Sequence, residues 1–301
     1  MKFPDQLLQW ITSSVDSRVN IEEIHRLPGS TSSDVYSLSL SNQGNIQEYV
    51  LRQFTNRSWL EEEPDLAKHE AESLRMASKT RTNSPAIIAY DETGSECGIP
   101  SVLMTKVEGE VDLMPGIKMG GWIDDLAKTL AAIHTVEAAE FAWNYFSYND
   151  IKTISIPKWS SQPERWKKLL EIVRGQRPET KICFIHRDYH PTNVLWKNGK
   201  ISGVVDWVNA CRGPAGIDVG HCRLNLARLY GIAFADAFLT AYQTYGGSEF
   251  TYDPYWDLVS LVDGGPPEVY PGWPVFGVNN LTNDVIVERT DQYVISLMNR
   301  F

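Results

Sequence analysis

The stretch ICFIHRDYHPTNVLW, residues 182–196, places polar side chains that can do chemistry between two apolar runs. His186, Asp188 and His190 have an alternating spacing that occurs in metal sites. Asp188, followed five residues later by Asn193, instead has the residue types that phosphoryl transfer requires. In that chemistry the aspartate orients an acceptor hydroxyl, and the amide oxygen of the asparagine binds Mg²⁺.

The remaining histidines bear on the choice between these two chemistries. A catalytic metal ion usually takes three or more protein ligands. The other histidines stand alone in the sequence, and none belongs to a recognisable ligand cluster: His25, His69, His134 and His221. A metal hydrolase is therefore the weaker interpretation of this stretch.

Phosphoryl transfer also needs a second carboxylate at the end of a neighbouring strand, to bind the metal that bridges the phosphates. Asp206 lies eighteen residues after Asp188 and directly follows the apolar run 201–205. The turn KNGK, residues 197–200, connects two short predicted strands, so a hairpin would bring Asn193 and Asp206 close to one ion. The order of these residues favours a kinase-type site.

The first hundred residues contain the parts that such a site needs for a nucleotide. A cation on a predicted third strand, Arg52, and a carboxylate on the helix that follows, Glu70 or Glu72, could form an ion pair that positions the phosphates. A small-residue turn could offer backbone N–H groups to phosphate oxygens. The residues of this turn are Gly29, Ser30, Thr31 and Ser32.

The hydrophobic pattern predicts an α+β fold with two lobes. An amphipathic helix is expected over about 5–15, and five strands with one main helix after the third fill the rest of residues 1–107. Residues 108–301 are predicted to form a larger, mostly helical lobe, in which 263–275 is a Pro/Gly-rich surface loop. The first lobe would bind the nucleotide and the second would hold the catalytic loop and the acceptor.

Segments in this order resemble the aminoglycoside phosphotransferase and choline kinase-like family, which has a bilobal protein-kinase-like fold. The resemblance runs from about residue 27 to 218, and the helical tail fits it as well. The segments that carry it are LPGSTSSDVYSL, EYVLRQF, HEAESLR, IPSVLMTKVEG, LAAIHTVE, FIHRDYHPTNVLW and GVVDWVNACRGPAGID.

The resemblance implies a role for each matching residue. Asp188 is similar to the catalytic aspartate, and Asn193 and Asp206 to the Mg²⁺ ligands. Arg52 occupies the position of the phosphate-binding lysine, with Glu70 as its partner. The other matches are a hinge that binds the nucleotide base through its backbone (Met104, Thr105 and Val107), an aspartate that braces the catalytic loop or caps a helix (Asp218), and supporting loop residues (His186 and Arg187).

Two departures from the family pattern concern arginines. Arg52 replaces the usual lysine, and a guanidinium is a bidentate phosphate ligand rather than a point charge. Arg187 stands where glycine is common and gives the HRD spelling of protein kinases. A protein kinase nevertheless needs an extended activation segment, and Asp218 already follows twelve positions after Asp206. A small-molecule acceptor therefore fits better.

The resemblance implies a kinase that moves the γ-phosphoryl of ATP or GTP, with Mg²⁺, to a hydroxyl of a small acceptor such as an amine-bearing, aminoglycoside-like compound. A non-catalytic nucleotide- or ligand-binding protein is the alternative from another class. That alternative would be expected to have lost Asp188, Asn193 or Asp206, and all three are present.

Composition bounds the partners and the compartment. With 38 acidic and 28 basic residues the net charge is −10, which disfavours nucleic acid and tolerates a cationic substrate. We expect a cytoplasmic protein with no membrane span, because no secretory signal and no long apolar run is present. The four cysteines are expected to be buried or free thiols. The oligomeric state is left open.

A last cluster, near the Pro/Gly-rich stretch, admits two interpretations. Its aromatic members could wall an acceptor site or close a local core, and its acidic members could attract an amine or form a solvated surface. The aromatic residues are Tyr252, Tyr255, Trp256, Tyr270 and Trp273, and the acidic residues are Asp253, Asp257, Asp263 and Glu268.

Overall fold

The structure is a computed structural model that describes residues 3–28, 32–114, 116 and 119–301. The chain forms two compact units. The first comprises Met1–Gly109 and Ser202–Asn209, and the second comprises Glu110–Ile201 and Ala210–Phe301. The boundary expected from the sequence, after residue 107, lies two residues before the observed one, and the packing of 202–209 with the first unit was not predicted.

The first unit contains a five-stranded antiparallel sheet with the strand order β1-β2-β3-β5-β4. Its strands are β1 (Asn20–Arg26), β2 (Asp34–Asn42), β3 (Asn45–Gln53), β4 (Ile87–Asp91) and β5 (Ser101–Thr105). Its helices are α1 (Asp5–Val15), α2 (Arg57–Glu62) and α3 (Leu66–Ala77). Five strands with the main helix after the third were predicted, and the short α2 was not.

Alternating side chains give β2 one buried face. Leu38 and Leu40 are almost fully buried, whereas Ser39 and Ser41 point to the other face. The helix α1 covers the apolar face with residues at helical spacing, and they join the same core cluster: Leu7, Trp10 and Ile11. The N-terminal helix thus completes the core of this unit.

The second unit is mostly helical. Its helices are α4 (Met119–Ile133), α5 (Pro163–Val173), α6 (Ala215–Tyr230), α7 (Ile232–Gly246), α8 (Tyr255–Asp263), α9 (Gly272–Val275) and α10 (Asn283–Met298). Its strands are β6 (Glu110–Val111), β7 (Ile182–Ile185), β8 (Val194–Lys197) and β10 (Cys211–Pro214), and β9 (Lys200–Val204) leads from this unit into segment 202–209 of the first. Strand β7 pairs antiparallel with β10, and β6 pairs antiparallel with β8. The predicted α+β fold class is confirmed.

Two glycines allow α6 to pack closely against α8. A Cβ built on Gly216 would lie 2.5 Å from the ring of Trp256, and one on Gly220 would lie 2.6 Å from Ser260 Oγ and 2.9 Å from the backbone oxygen of Trp256. These contacts are too short for real Cβ atoms, so α6 needs glycine at both positions.

We expect Gly220→Ala to lower the free energy of unfolding by about 1–3 kcal/mol, because overpacking outweighs the gain of up to about 1 kcal/mol in helix propensity. Urea denaturation of the variant would measure the change. Gly121→Ala in α4 is the matched control, since nothing lies within 4 Å of its Cβ position. A Gly220→Ala protein as stable as wild type would contradict the close packing of α6 and α8.

The prediction of a surface loop over 263–275 is wrong in part. Residues 272–275 form α9, and Trp273 is only 1% exposed, in a core cluster with Leu113, Val278 and Ile286. Tyr255 and Trp256 are also buried. These aromatic side chains pack the core, where their large apolar surface is removed from water.

Two acidic members of the same cluster, Asp257 and Asp263, are structural rather than solvated, whereas Glu268 is exposed. Asp257 is 1% exposed and bonds Arg223 at 2.5 Å. Asp263 accepts hydrogen bonds from the Tyr145 hydroxyl at 3.3 Å and from Ser147 Oγ at 2.5 Å. Neither carboxylate is therefore a ready partner for an amine.

Within the described ranges, every helix is too short or too polar to cross a lipid bilayer. The cysteines are free and buried, as expected: Cys97, Cys183, Cys211 and Cys222. Burial raises the pKa of the Cys183 thiol to about 12 and that of Cys211 to about 12. These thiols stay protonated near neutral pH and are poor nucleophiles.

Candidate active site

Arg52 and Glu70 form a buried ion pair in the first unit, as predicted. Arg52 Nη1 lies 2.7 Å from Glu70 Oε1, and the side chains are 9% and 1% exposed. Burial raises the pKa of Glu70 to about 7, while the charge of Arg52 opposes the rise. The alternative partner, Glu72, instead bonds Arg75 on the surface of α3. The helical turn that points Glu70 inward turns Glu72 away.

Asp206 belongs to the same cluster. Its Oδ1 atom lies 2.8 Å from Arg52 Nη2, and a third of the side chain (33%) is exposed. Two hydrogen bonds from Asn83 hold segment 202–209 against the first unit. The Nδ2 atom of Asn83 donates to Ser202 O at 2.8 Å, and its backbone oxygen accepts from Val204 N at 2.9 Å. The sequence predicted each residue of the triad Glu70–Arg52–Asp206, but not that the guanidinium joins both carboxylates.

The backbone of Asp206 adopts φ +66°, which is uncommon outside glycine. The next residue, Trp207, is fully buried and donates from Nε1 to Val204 O at 2.9 Å. The buried indole anchors the turn and leaves the preceding carboxylate partly open to solvent. A left-handed residue at such a position is typical of a functional turn.

Backbone hydrogen bonds distinguish the three residues of the predicted hinge. Met104 pairs with β3 and β4, and the N–H of Thr105 donates to Ala86 O at 2.9 Å. Lys106 N donates to Glu48 O at 3.2 Å. Val107 comes next, and its N–H has no acceptor in the part of the chain that the structure describes. Of the three predicted hinge residues, Val107 therefore has a free backbone donor.

The small-residue turn is described only at its end. Gly29, Ser30 and Thr31 lie outside the described residues. Ser32 is half-buried and lies two residues before β2. The role predicted for this turn stays a prediction.

Asp218 fixes the start of the loop 186–193, the predicted catalytic loop, in the second unit. Its fully buried carboxylate accepts from the backbone N–H groups of His186 at 2.7 Å and Arg187 at 2.6 Å. His134 Nε2 lies 3.0 Å from the same carboxylate and Nδ1 lies 2.5 Å from the Tyr242 hydroxyl. The alternative role of helix N-cap is wrong, because α6 begins at Ala215 and already contains Asp218.

The side chain of Arg187 anchors the loop to residues 146–148. Its backbone has φ +66°, and its guanidinium donates to Phe146 O at 2.6 Å. The guanidinium carbon also lies 4.1 Å and 3.9 Å from the ring centroids of Phe146 and Tyr148. His186 accepts from the N–H of Asp188 through Nδ1 at 3.3 Å. The side chains of both residues orient the loop.

Asn193 holds the Asp188 carboxylate. Its Nδ2 donates to Asp188 Oδ2 at 3.1 Å and to Asp188 O at 2.9 Å. Asn193 is the last residue of a short 3₁₀ turn, Pro191–Asn193, which returns its side chain to Asp188. Since the amide nitrogen is directed at Asp188, the amide oxygen is left for another partner.

Two histidines lie beside the other Asp188 oxygen. His221 Nε2 is 3.1 Å and His190 Nε2 is 3.6 Å from Oδ1. Although burial alone would raise it, these imidazoles hold the pKa of Asp188 well below its usual value. The view that His221 stands alone is wrong. It lies three residues after Asp218 on α6, and that spacing was the available signal that both face the loop.

The residues predicted to bind Mg²⁺ offer suitable donors. Mg²⁺ prefers carboxylate and amide oxygens. One carboxylate oxygen of Asp206 bonds Arg52, and the carboxylate is partly exposed. The amide nitrogen of Asn193 bonds Asp188, which leaves the amide oxygen of Asn193 available to a metal ion. Each residue therefore fits the ion, which would neutralise phosphate charge when bound.

Comparison with known proteins bears on the family of the chain. The family model described as "Phosphotransferase enzyme family" matches residues 23–266. The aminoglycoside 3′-phosphotransferase of Enterococcus faecalis is 25% identical over 81 residues, or 26% of this chain. The match spans 31% of that relative's length.

Two solved structures share the fold at low sequence identity. The ternary complex of APH(2″)-IIa with streptomycin and ATP has a TM-score of 0.59 at 16% identity, with 87% of this chain and 89% of that chain covered. Choline kinase from Cryptosporidium parvum has a TM-score of 0.56 at 13% identity, with 94% and 90% covered. The fold is thus the protein-kinase-like fold expected from the sequence. Because the family model covers most of its length, this chain belongs to the phosphotransferase enzyme family.

Proposed function

We propose that this protein transfers the γ-phosphoryl group of ATP or GTP to a hydroxyl group of a small molecule. The observation that carries the proposal is the environment of Asp188. Its carboxylate is ionised at neutral pH, is held by Asn193, and lies on a loop that Asp218 fixes through two backbone N–H groups. An ionised, fixed carboxylate can accept a hydrogen bond from a hydroxyl and orient it for attack.

The first unit supplies the nucleotide-binding groups in this proposal. Arg52 would bind phosphate oxygens, and Glu70 would hold the guanidinium in place. The free N–H of Val107 would donate to the base. Asn193 and Asp206 would hold Mg²⁺, which supplies charge neutralisation for the transferring group. The backbones of Met104 and Thr105 are already paired with neighbouring strands, so these two residues would contact the base through their side chains.

The acceptor class follows from the family and from charge. Streptomycin is bound in one structure of the same fold, and the matched curated relatives are aminoglycoside phosphotransferases. A net charge of −10 suits a cationic acceptor. We therefore propose a small, hydroxylated, amine-bearing acceptor. Asp257 and Asp263 would not recognise its amine, because their carboxylates already bond side chains of the protein.

We expect Asp206→Ala to abolish most of the Mg²⁺-dependent nucleotide binding. Wild-type protein at about 100 times Kd of MgATP should gain about 2.7 kcal/mol of stability, seen as a higher Tm in a thermal-shift assay. The variant should lose most of this gain, because it lacks a carboxylate that binds the metal. Asp5→Ala, an exposed carboxylate at the start of α1, is the matched control.

The same assay then tests the acceptor. Hydroxylated compounds of several classes, with and without amines, are added in the presence of Mg²⁺ and a non-hydrolysable nucleotide. A further rise in Tm with amine-bearing compounds, followed by their phosphorylation when ATP is supplied, supports the proposal. Nucleotide binding without phosphorylation of any acceptor would favour a non-catalytic sensor, and no binding of ATP or GTP would refute the proposed activity.

A further inference from the structure

Asp188 is surrounded by nitrogen donors that phosphoryl transfer does not require. In the proposed reaction a carboxylate suffices to orient the hydroxyl, yet His190 and His221 both direct Nε2 toward the same carboxylate oxygen. Asp188 and His190 come from the catalytic loop, and His221 comes from α6, whose Asp218 also fixes that loop. The three side chains are thus held together by the scaffold.

From this arrangement we propose that Asp188, His190 and His221 form a binding site for a divalent transition-metal ion such as Zn²⁺. Their ligand atoms all lie within 4.8 Å of one another. Two ligands of a tetrahedral Zn²⁺ at about 2.0–2.1 Å are separated by about 3.3–3.5 Å. The observed separations of 3.1 Å and 3.6 Å from Asp188 Oδ1 lie on either side of this range, so each imidazole needs only a small adjustment relative to the carboxylate. The ligand atoms of the two histidines lie within 4.8 Å of each other and would have to move closer together around an ion.

The donor set selects the kind of ion. Two imidazole nitrogens with one carboxylate oxygen suit Zn²⁺, Co²⁺ and similar ions, whereas Mg²⁺ prefers oxygen donors alone. This site is therefore distinct in chemistry from Asn193 and Asp206. With three protein ligands, one position of a tetrahedral ion would be open to water or to a substrate group.

Thr192 and Asn225 contact the imidazole rings of the two proposed histidine ligands. Thr192 Oγ1 lies 2.7 Å from His190 Nδ1 and 3.3 Å from His190 Nε2. Keeping the shorter contact to Nδ1 and giving up the longer one would leave Nε2 for the ion. Asn225 Nδ2 lies 3.2 Å from His221 Nε2 and would have to turn aside, keeping its bond of 3.0 Å to His221 O. The side chains of Asp188 and His221 are 31% and 26% exposed, so an ion can reach them from solvent.

One consequence rests on the proposed function. An ion bound to Asp188 would occupy the carboxylate that orients the acceptor hydroxyl. Zn²⁺ at micromolar concentration should then inhibit phosphoryl transfer in the presence of millimolar Mg²⁺, and a chelator should restore the activity.

Direct binding tests the site without relying on activity. Zn²⁺ is titrated into the protein by calorimetry in excess Mg²⁺, and Co²⁺ is followed by its visible d–d absorption, which reports low coordination number and nitrogen ligands. We expect one ion per chain, and a loss of affinity of at least about tenfold in both His221→Gln and His190→Gln. Circular dichroism and thermal melting establish that each variant is folded. His25→Gln, which changes an exposed histidine on β1, should bind like wild type.

Each outcome has a distinct meaning. Unchanged affinity in both folded variants, or no Zn²⁺ and Co²⁺ binding to the wild type, overturns the metal site even if phosphoryl transfer is observed. Binding that depends on both histidines establishes the site even if no acceptor is ever phosphorylated, in which case the proposed function fails by itself. Two independent variants keep the test valid if one of them does not fold.

Discussion

Asp188→Ala is expected to lower kcat for phosphoryl transfer by about 10²–10⁴-fold while changing nucleotide affinity by no more than about twofold. The loss follows because the variant lacks the carboxylate that accepts a hydrogen bond from the acceptor hydroxyl. Nucleotide affinity is retained because Arg52 and Asp206 belong to the other unit and do not depend on this carboxylate for their own pairing.

Coupled ADP-release kinetics and calorimetric titration of MgATP would measure the two effects separately. Asp284→Ala, an exposed carboxylate in the first turn of α10, serves as the control for a general effect of lost charge. The opposite pattern, in which Asp188→Ala loses nucleotide binding and Asp206→Ala loses only turnover, would show that the two roles are assigned the wrong way round.

Arg223→Met is expected to lower the free energy of unfolding by about 3–5 kcal/mol. Arg223 is fully buried on α6 and pairs with Asp257 at 2.5 Å and Asp236 at 2.7 Å. Asp257 also accepts from the Tyr252 and Tyr293 hydroxyls, each at 2.6 Å. Removing the guanidinium leaves Asp257 buried without its counter-charge, which is costlier than the loss of one contact.

Urea denaturation followed by tryptophan fluorescence would measure this loss. Arg300→Met is the matched control, because Arg300 bonds the same Asp236 at 2.7 Å from a partly exposed position and should cost about 0–1 kcal/mol. The double variant Arg223→Met, Asp257→Asn should recover part of the stability, since the uncompensated charge is removed. A loss below about 1 kcal/mol in the single variant would argue against the network.

The sequence alone predicted those features that depend on neighbouring residues. Helical spacing predicted α1 over Asp5–Val15, in which Leu7, Trp10 and Ile11 are buried. The turn between β8 and β9 was predictable because Asn198 and Gly199 tolerate positive φ, which both adopt. The resemblance to the phosphotransferase family rested on short segments in a shared order, among them those that contain Asp188, Asn193 and Asp206.

The tertiary structure decided which distant side chains meet. It selected Glu70 over Glu72 as the partner of Arg52, joined Asp206 to the same guanidinium, and brought His221 to Asp188. Asp257, which the sequence left as a candidate ligand for an amine, is the buried partner of Arg223 in the structure. Local patterns fix the period and the ends of an element, because they depend on backbone geometry within a few residues. Pairings between elements depend on how their faces pack, and packing is a property of the whole chain.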